Sequence, residues 1–182
     1  MTPFYKHLKG VLTPEECDRI IAIGNEHGFA EAPITMRDGS QQMFKDVRNN
    51  DRVTFHDMLM ALELTETIIG EIPKEFKDAK YVKLGSFFRL YRYVPGQYFK
   101  PHYDGSFDAG DCASEITVLF YLNDTDGGET VLRPRRAAPR DEWIVIEPKK
   151  GDVLMFEHHI LHEGKEVNSG KKFVLRTDVF YA

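Results

Sequence analysis

The sequence has few cysteines and no long apolar run. Its 182 residues include only two cysteines, Cys17 and Cys112, which excludes a disulfide framework and a zinc site of four thiolates. No stretch approaches the roughly 20 apolar residues of a membrane-spanning helix, and the N-terminal residues lack the apolar core of a signal peptide. These absences lead us to expect a cytoplasmic protein, in a reducing compartment, with no membrane partner.

An excess of positive charge is also absent. The chain has 24 lysines and arginines against 29 aspartates and glutamates, for a formal net charge of −5. Because dedicated nucleic-acid-binding proteins are usually basic, we expect no nucleic-acid partner, while peptide and small-molecule substrates stay open. The apolar fraction of 42% is enough for an ordinary core, and the length suits a single domain over residues 1–182. The oligomeric state does not follow from the sequence.

The first helix has a clear start in the sequence. Thr13 can cap it, Pro14 suits its first position, and Glu16 completes a capping box. Gly28 can end this helix. The following residues, 30–52, are polar and rich in turn residues, so they predict a long loop with a short strand.

A second helix is predicted over residues 56–69, where the apolar residues recur with helical spacing. The side chains predicted on its buried side are Met58, Leu59, Leu62 and Ile69. With the first helix, this segment makes residues 1–80 a mainly helical support.

From residue 81 onward the sequence changes to strand-forming patterns. Residues 81–94 are rich in aromatic and β-branched side chains, which favour strands. Turn signals then separate further predicted strands at residues 116–122, 129–132, 143–147, 153–156 and 173–181. Helices first and many short strands after them predict an α+β fold, with a β-sandwich or jelly roll over residues 81–182.

A candidate metal site begins with the tripeptide His102-Tyr103-Asp104. Residues two apart in a strand point to the same face, so this imidazole and this carboxylate would enter one cavity as two metal ligands. Fe(II) oxygenases use two histidines and one carboxylate and keep other positions open. The residues alone leave three candidates for the third ligand, which are His158, His159 and His162.

The two metal-ligand segments resemble those of the prolyl 4-hydroxylase-type dioxygenases. Residues 93–106, YVPGQYFKPHYDGS, are similar to the first metal motif of that family, and LHEG at 161–164 with Val167, Gly170 and Lys172 is similar to the second. Residues 120–123 and 127–130 resemble the strands between the motifs. This resemblance covers about residues 81–181. It implies a double-stranded β-helix with the N-terminal helices packed on one sheet, and it makes His162 the third ligand.

The resemblance also implies the reaction. Family members use Fe(II), 2-oxoglutarate and dioxygen to hydroxylate a C–H bond, so a prolyl residue in a peptide or protein is the expected substrate; a need for ascorbate stays open. The same chemistry on a free amino acid or other small acid is one alternative. A cupin-like metal hydrolase or isomerase that does not use 2-oxoglutarate is another, although it leaves the glycine and lysine after the last histidine unexplained.

Two cations compete for the far carboxylate of 2-oxoglutarate, which needs a positive partner in a partly dry pocket. The resemblance places that cation ten residues after His162, at Lys172. Arg176 lies on the same face of the predicted strand, and its fork suits a carboxylate. If Lys172 binds the far carboxylate, Arg176 faces the metal-proximal carboxylate or the substrate, unless it forms a salt bridge to a residue such as Asp178. The resemblance also places Tyr93 and Tyr121 beside the cofactor pocket.

The polar segment before the predicted barrel is a candidate for substrate binding. It contains Arg48, Asn50 and Arg52, whose guanidinium and amide groups can bind carboxylates or peptide carbonyls. A solvated polar strand with no role in binding explains the same composition equally well.

Overall fold

A computed structural model describes residues 3–36, 39–134, 139 and 142–182. Its helices are α1 (Pro14–His27) and α2 (Met58–Ile68), and a short 3-10 helix follows at Ile69–Glu71. None of the helices in these residues is long and apolar enough to cross a membrane.

Strands make up most of the remaining regular structure. They are β1 (Tyr5–Leu8), β2 (Ala30–Glu31), β3 (Ile34–Thr35), β4 (Gln41–Gln42), β5 (Asp51–His56), β6 (Glu75–Phe76), β7 (Ala79–Leu84), β8 (Phe87–Tyr93), β9 (Phe99–His102), β10 (Ala113–Tyr121), β11 (Asp126–Gly127), β12 (Thr130–Arg133), β13 (Ile144–Ile146), β14 (Val153–Glu157), β15 (Leu161–Gly164), β16 (Val167–Ser169) and β17 (Lys172–Tyr181). The predicted strand at 81–94 is in fact two strands, β7 and β8, which separate at Gly85.

Two antiparallel sheets pack face to face. The major sheet has the order β1-β14-β10-β17-β8-β5-β2, with β7 also paired to β17, and the minor sheet has the order β13-β12-β15-β9. An apolar cluster joins the two sheets, with Leu132 and Ile146 from the minor sheet and Leu154, Phe156 and Val174 from the major sheet. This is the jelly roll that the sequence predicts.

The two faces of the major sheet have different environments. Successive residues of a strand point to opposite faces, and on β17 Val174 packs in the cluster between the sheets while Leu175 packs in the larger core. That larger core includes Ile20 of α1 and Leu64 of α2. The helices therefore cover one face of the major sheet, as predicted, and leave the other face for the site.

The start of α1 follows the predicted capping box. Thr13 Oγ1 accepts a hydrogen bond from the Glu16 amide at 3.2 Å, and the Glu16 carboxylate accepts one from the Thr13 amide at 2.7 Å. Gly28 ends the helix with a φ of 82°, a conformation that glycine adopts without a steric penalty. The predicted bounds of this helix are confirmed.

The predicted buried side of α2 is wrong. The four side chains expected in the core are exposed, with 66% of Met58, 73% of Leu59, 58% of Leu62 and 44% of Ile69 accessible to solvent. The core takes the neighbouring residues Met60, Ala61, Leu64 and Ile68 instead. The helix carries two apolar stripes, and the pattern of spacing alone does not tell which stripe meets the sheet.

The first 80 residues contribute strands as well as helices. β5 lies in the major sheet and pairs with β8 over six residues, and β1 pairs with β14. His56, predicted as the start of the second helix, is the last residue of β5. The description of residues 1–80 as mainly helical therefore understates their part in the sheet, while the single-domain assignment stays a prediction.

Gly24 of α1 offers a test of how tightly this helix packs on the major sheet. A Cβ at Gly24 would clash with Cδ2 of Leu90, a fully buried side chain of β8. We expect Gly24→Ala to lower the free energy of unfolding by about 1–2 kcal/mol, since overpacking costs about 1–3 kcal/mol and the better helix propensity of alanine returns under about 1 kcal/mol.

Gly70→Ala is the matched control, because a Cβ at Gly70 meets no atom within 4 Å. Urea unfolding of the two variants measures the difference. Equal stabilities for both would show that α1 is packed loosely enough on β8 to move away.

Candidate metal centre

Three potential metal ligands meet at one end of the space between the sheets. His102 ends β9 and His162 lies on β15, and these antiparallel neighbours place the two histidines directly opposite each other. Asp104 follows two residues after His102, beyond the end of the strand, so the predicted strand alternation is not what orients it. Its carboxylate lies 3.9 Å from His102 Nε2 and 3.6 Å from His162 Nε2.

The other ring nitrogen of each histidine has a backbone partner. His102 Nδ1 lies 2.8 Å from the carbonyl oxygen of Lys100, and His162 Nδ1 lies 3.0 Å from that of Ile160. A carbonyl only accepts, so each Nδ1 must donate, and each Nε2 then keeps its lone pair. Both imidazoles thus point an unprotonated Nε2, the atom that can bind a metal, toward Asp104.

The protonation states of the triad also suit a metal. Burial and the neighbouring His162 lower the pKa of His102 to about 3, and burial lowers the pKa of His162. Burial alone would raise the pKa of Asp104, but Arg176 and the two histidines outweigh it, so the pKa lies well below its ordinary value. At neutral pH the group holds two neutral imidazoles and one carboxylate, the forms that bind metal.

Asp104 is fixed by two side chains of the major sheet. Thr117 of β10 donates to Oδ2 at 2.6 Å, and Arg176 Nη1 of β17 donates to Oδ1 at 2.6 Å. Such outer partners orient metal ligands and tune their basicity. The major sheet therefore sets the position of a ligand whose own chain segment has left the minor sheet.

Arg176 also donates through Nη2 to Asp178 at 3.0 Å, as in the salt bridge considered from the sequence. Asp178 accepts a further bond from Arg89 at 3.0 Å, and His158 Nε2 lies 3.4 Å from it. Arg176 thus belongs to the metal end of the cavity, and its predicted contact with 2-oxoglutarate would have to be made there.

The side chains of the other two histidines considered as third ligand lie outside the triad, although the His158 carbonyl accepts a hydrogen bond from the Asp104 amide at 3.3 Å. His158 is buried beside Asp178, and His159 is exposed. Within the described part of the chain, His102, Asp104 and His162 form the one group of at least three possible ligands, with their atoms within 4.8 Å of one another.

A cavity extends from the triad to Lys172 of β17. Its lining residues are Tyr91, Tyr93, Phe99, His102, Asp104, Leu119, Thr130, His162, Glu163, Gly164, Lys172, Val174 and Arg176. The side chain of Lys172 is almost fully buried and donates to the Gly128 carbonyl at 2.6 Å. Burial lowers its pKa to about 7, because Glu129 offsets only part of the desolvation. The cavity thus has an anchored cation at the end opposite the triad.

The two predicted tyrosines have different positions. Tyr93 lines the cavity beside Lys172, whose Nζ lies 5.2 Å from the ring centre, and burial raises the pKa of its hydroxyl to about 12. It therefore stays protonated and can donate. Tyr121 is not among the lining residues, although Lys172 Nζ lies 5.7 Å from its ring centre; its hydroxyl donates at 2.8 Å to Thr130, which lines the cavity.

The predicted substrate segment borders the metal site. The guanidinium of Arg48 lies between two rings, 4.6 Å from the centre of Tyr91 and 4.4 Å from that of Phe99, and its Nε donates to Asn50 at 2.7 Å. The Phe99 ring also stacks on the imidazole of His102, with the two ring centres 3.5 Å apart. Arg52 pairs across the strands with Tyr91. Arg48 is therefore one ring away from a candidate ligand.

Several residues of the site were not among those predicted from the sequence. Thr117 and Tyr91 lie on the same strand faces as Tyr121 and Tyr93 respectively, so alternation along the strands already pointed to them. No pattern in the sequence pointed to Phe99, because its contact with the Arg48 guanidinium depends on how two distant segments pack together.

Comparison with known proteins agrees with the geometry. The sequence profile of the 2OG-Fe(II) oxygenase superfamily matches residues 88–177, about half of the chain. Prolyl 4-hydroxylase 1 of Arabidopsis thaliana is 28% identical over 190 residues, covering 91% of this chain and 65% of its own length. The chain spans 52% of the length of another Arabidopsis relative that it matches.

Solved structures share the fold. The 2-oxoglutarate complex of the viral collagen prolyl hydroxylase from Paramecium bursaria Chlorella virus-1 is 22% identical with a TM-score of 0.66, over 98% of this chain and 97% of that one. A prolyl hydroxylase from Trichoplax adhaerens, in complex with a hypoxia inducible factor peptide fragment, is 15% identical with a TM-score of 0.76, over 98% and 84%. The double-stranded β-helix is thereby confirmed.

Proposed function

Because the chain belongs to the 2OG-Fe(II) oxygenase superfamily, we propose that it is a dioxygenase that hydroxylates a prolyl residue in a peptide or protein. The observation that carries this proposal is the convergence of His102, Asp104 and His162 at one end of a cavity whose other end holds Lys172. The cytoplasmic location expected from the sequence is part of the same proposal.

The donor set of the triad fits Fe(II). Two neutral imidazoles and a carboxylate, gathered on one side, are the ligands that non-haem iron oxygenases use while leaving positions open. We assign His102, Asp104 and His162 to the metal, with Thr117 and Arg176 keeping Asp104 ionised and in place. When bound, iron with 2-oxoglutarate and dioxygen supplies the oxidation of an unactivated C–H bond, giving succinate and carbon dioxide as co-products.

The far end of the cavity fits a dicarboxylate. A buried lysine is costly unless an anion pairs with it, and among the described residues Lys172 donates only to the Gly128 carbonyl. We assign Lys172 to the far carboxylate of 2-oxoglutarate and Tyr93 to its neighbourhood. We assign Tyr121 to hold Thr130, which accepts its hydrogen bond, and Arg176 to the metal end of the cofactor site, where it binds Asp104.

The assignment of a prolyl substrate rests on similarity to known proteins and on the polar side chains beside the cavity. The relatives are named for prolyl hydroxylation, and one structural neighbour holds a peptide. Arg48 and Arg52 border the site and offer donors to a substrate carbonyl or carboxylate, while the buried Asn50 accepts from Arg48 and donates to the Asp51 carbonyl, and so holds Arg48 in place. A free amino acid or small acid is the second candidate, favoured by the lack of a carboxylate partner for Arg48 and Arg52 among the described residues.

The test begins with anaerobic addition of Fe(II) and 2-oxoglutarate to the protein. We expect a weak visible charge-transfer band that neither component gives alone. Aerobic incubation with a library of proline-containing peptides should then add one oxygen to some peptides, with matching succinate release detected by mass spectrometry.

Three results would change the proposal. Oxidation of free amino acids alone would replace the peptide substrate by a small one. Turnover with zinc or manganese and no need for 2-oxoglutarate would indicate the cupin-like alternative. Failure to form the band would remove the dioxygenase assignment itself.

A further inference from the structure

Four arginines surround Tyr91 on the cavity side of the major sheet. Tyr91 lines the cavity, and directly paired residues of neighbouring strands point to the same face. Arg52 pairs with Tyr91, and Arg89 pairs with Arg176, so the three arginines lie on the cavity side of the sheet, where Arg176 lines the cavity itself. Arg48 adds its guanidinium above the Tyr91 ring.

Two of these arginines have carboxylate partners among the described residues. Arg176 binds Asp104 and Asp178, and Arg89 binds Asp178. Arg48 and Arg52 form no ion pair with any residue in the described ranges. Arg48 is 5% exposed, and its Nη2 is buried without a hydrogen-bond acceptor there. Two guanidinium groups beside the metal site therefore lack a counter-charge.

The pKa of the Tyr91 hydroxyl is shifted by the same excess of positive charge. Burial alone would raise the pKa of its hydroxyl, yet the pKa lies below its ordinary value because Arg48, Arg176 and Arg89 outweigh the desolvation. The pKa of Arg52 is lowered as well. Burial is the largest cause, Tyr91 opposes it by raising the pKa, and Arg48, Arg89 and Arg176 lower the pKa further. Uncompensated charge in a partly dry site is costly unless an anion enters.

We propose that Arg48, Arg52 and Tyr91 form a subsite for a carboxylate of the substrate, next to the carbon that is oxidised. Guanidinium forks match a carboxylate in paired hydrogen bonds, and Arg52 is the half-buried member that an incoming group reaches first. The proposal rests on the proposed function only for the position of the oxidised carbon. The carboxylate can come from the C-terminus of a prolyl compound or from an acidic side chain beside the proline.

Two matched pairs of probes distinguish these sources. Acetyl-proline and its amide differ in the main-chain carboxylate, and the amides of acetyl-Pro-Glu and acetyl-Pro-Gln differ in the side-chain carboxylate. Binding to the protein loaded with Fe(II) and 2-oxoglutarate is measured anaerobically by calorimetry. In one of the pairs we expect the charged member to bind at least about tenfold tighter, as charge-assisted hydrogen bonds imply. The pair that responds identifies the source.

Variants at Arg52 show whether this residue is responsible. Arg52→Gln should remove the preference, Arg52→Lys should keep part of it, and Arg52→Glu should invert it toward the amide of acetyl-Pro-Lys. Because a misfolded protein cannot gain a new preference, the inversion is independent of stability. Arg19→Gln is the matched control, since Arg19 is a half-exposed residue of α1 paired with Glu63.

The outcomes separate this proposal from the proposed function. Selective binding of a charged probe without oxidation of any probe would keep the subsite and remove the prolyl hydroxylase assignment. Equal binding of both members in each pair, together with hydroxylation of either, would overturn the subsite and keep the reaction. The subsite is also overturned if Arg52→Gln binds the charged probes like Arg19→Gln.

Discussion

Replacing His102 or His162 with alanine, or Asp104 with asparagine, should reduce iron affinity at least about 100-fold and abolish turnover. Loss of a partner that only orients a ligand typically costs 10- to 100-fold, so loss of the ligand itself should cost more. Asparagine at position 104 keeps the size of the side chain and one oxygen that can accept from Arg176, while it removes the charge and replaces the acceptor next to Thr117 with a donor. Iron retained per chain after anaerobic gel filtration with a chelator measures the effect.

His159→Ala is the control, because His159 is exposed and lies outside the triad. It should retain iron like the unaltered protein, and circular dichroism should show that all variants are folded. Loss of iron in His159→Ala together with its retention in His162→Ala would refute the assignment of the third ligand.

Local patterns predict the elements of this fold well. The capping box at Thr13 and Glu16 needs only residues close in sequence, and it fixes the start of α1. The alternation in β17 correctly puts Lys172 and Arg176 on one face. In each case the cause is short-range geometry, which the sequence contains in full.

Features that depend on distant segments are harder to predict. The pairing of β9 with β15 brings His162 opposite His102, and no local pattern distinguishes His162 from His158; resemblance to a family supplied that choice. The bond between Arg176 and Asp104 could not be predicted either, because Asp104 lies beyond the end of β9 and its position depends on how that segment packs on the major sheet. On α2, the choice between two apolar stripes was decided by the surface of the sheet, and the prediction from spacing was wrong.

Lys172→Met should raise the 2-oxoglutarate concentration needed for half-saturation by about 100-fold or more, because truncating one member of a buried charge pair costs about 2–5 kcal/mol. Iron retention should hardly change, since Lys172 lies at the far end of the cavity from the triad. Arg176→Gln should do the reverse and weaken iron retention more, because Arg176 holds Asp104. Titration of the anaerobic charge-transfer band and the chelator assay measure the two effects.

The pH dependence of 2-oxoglutarate binding gives a second, independent sign of the same lysine. The pKa of Lys172 in the free protein is lowered to about 7, and only the protonated amine attracts a carboxylate. Affinity should therefore be highest below pH 7 and fall as the pH rises above it, by up to about tenfold per unit, until the higher pKa of the complex is reached. His102, with a pKa of about 3, is neutral throughout this range and does not contribute to the pH dependence of 2-oxoglutarate binding. Lys172→Arg should flatten the profile, because arginine stays charged. A flat profile in the unaltered protein, or a profile that changes with Arg176→Gln instead, would assign the far carboxylate to another group.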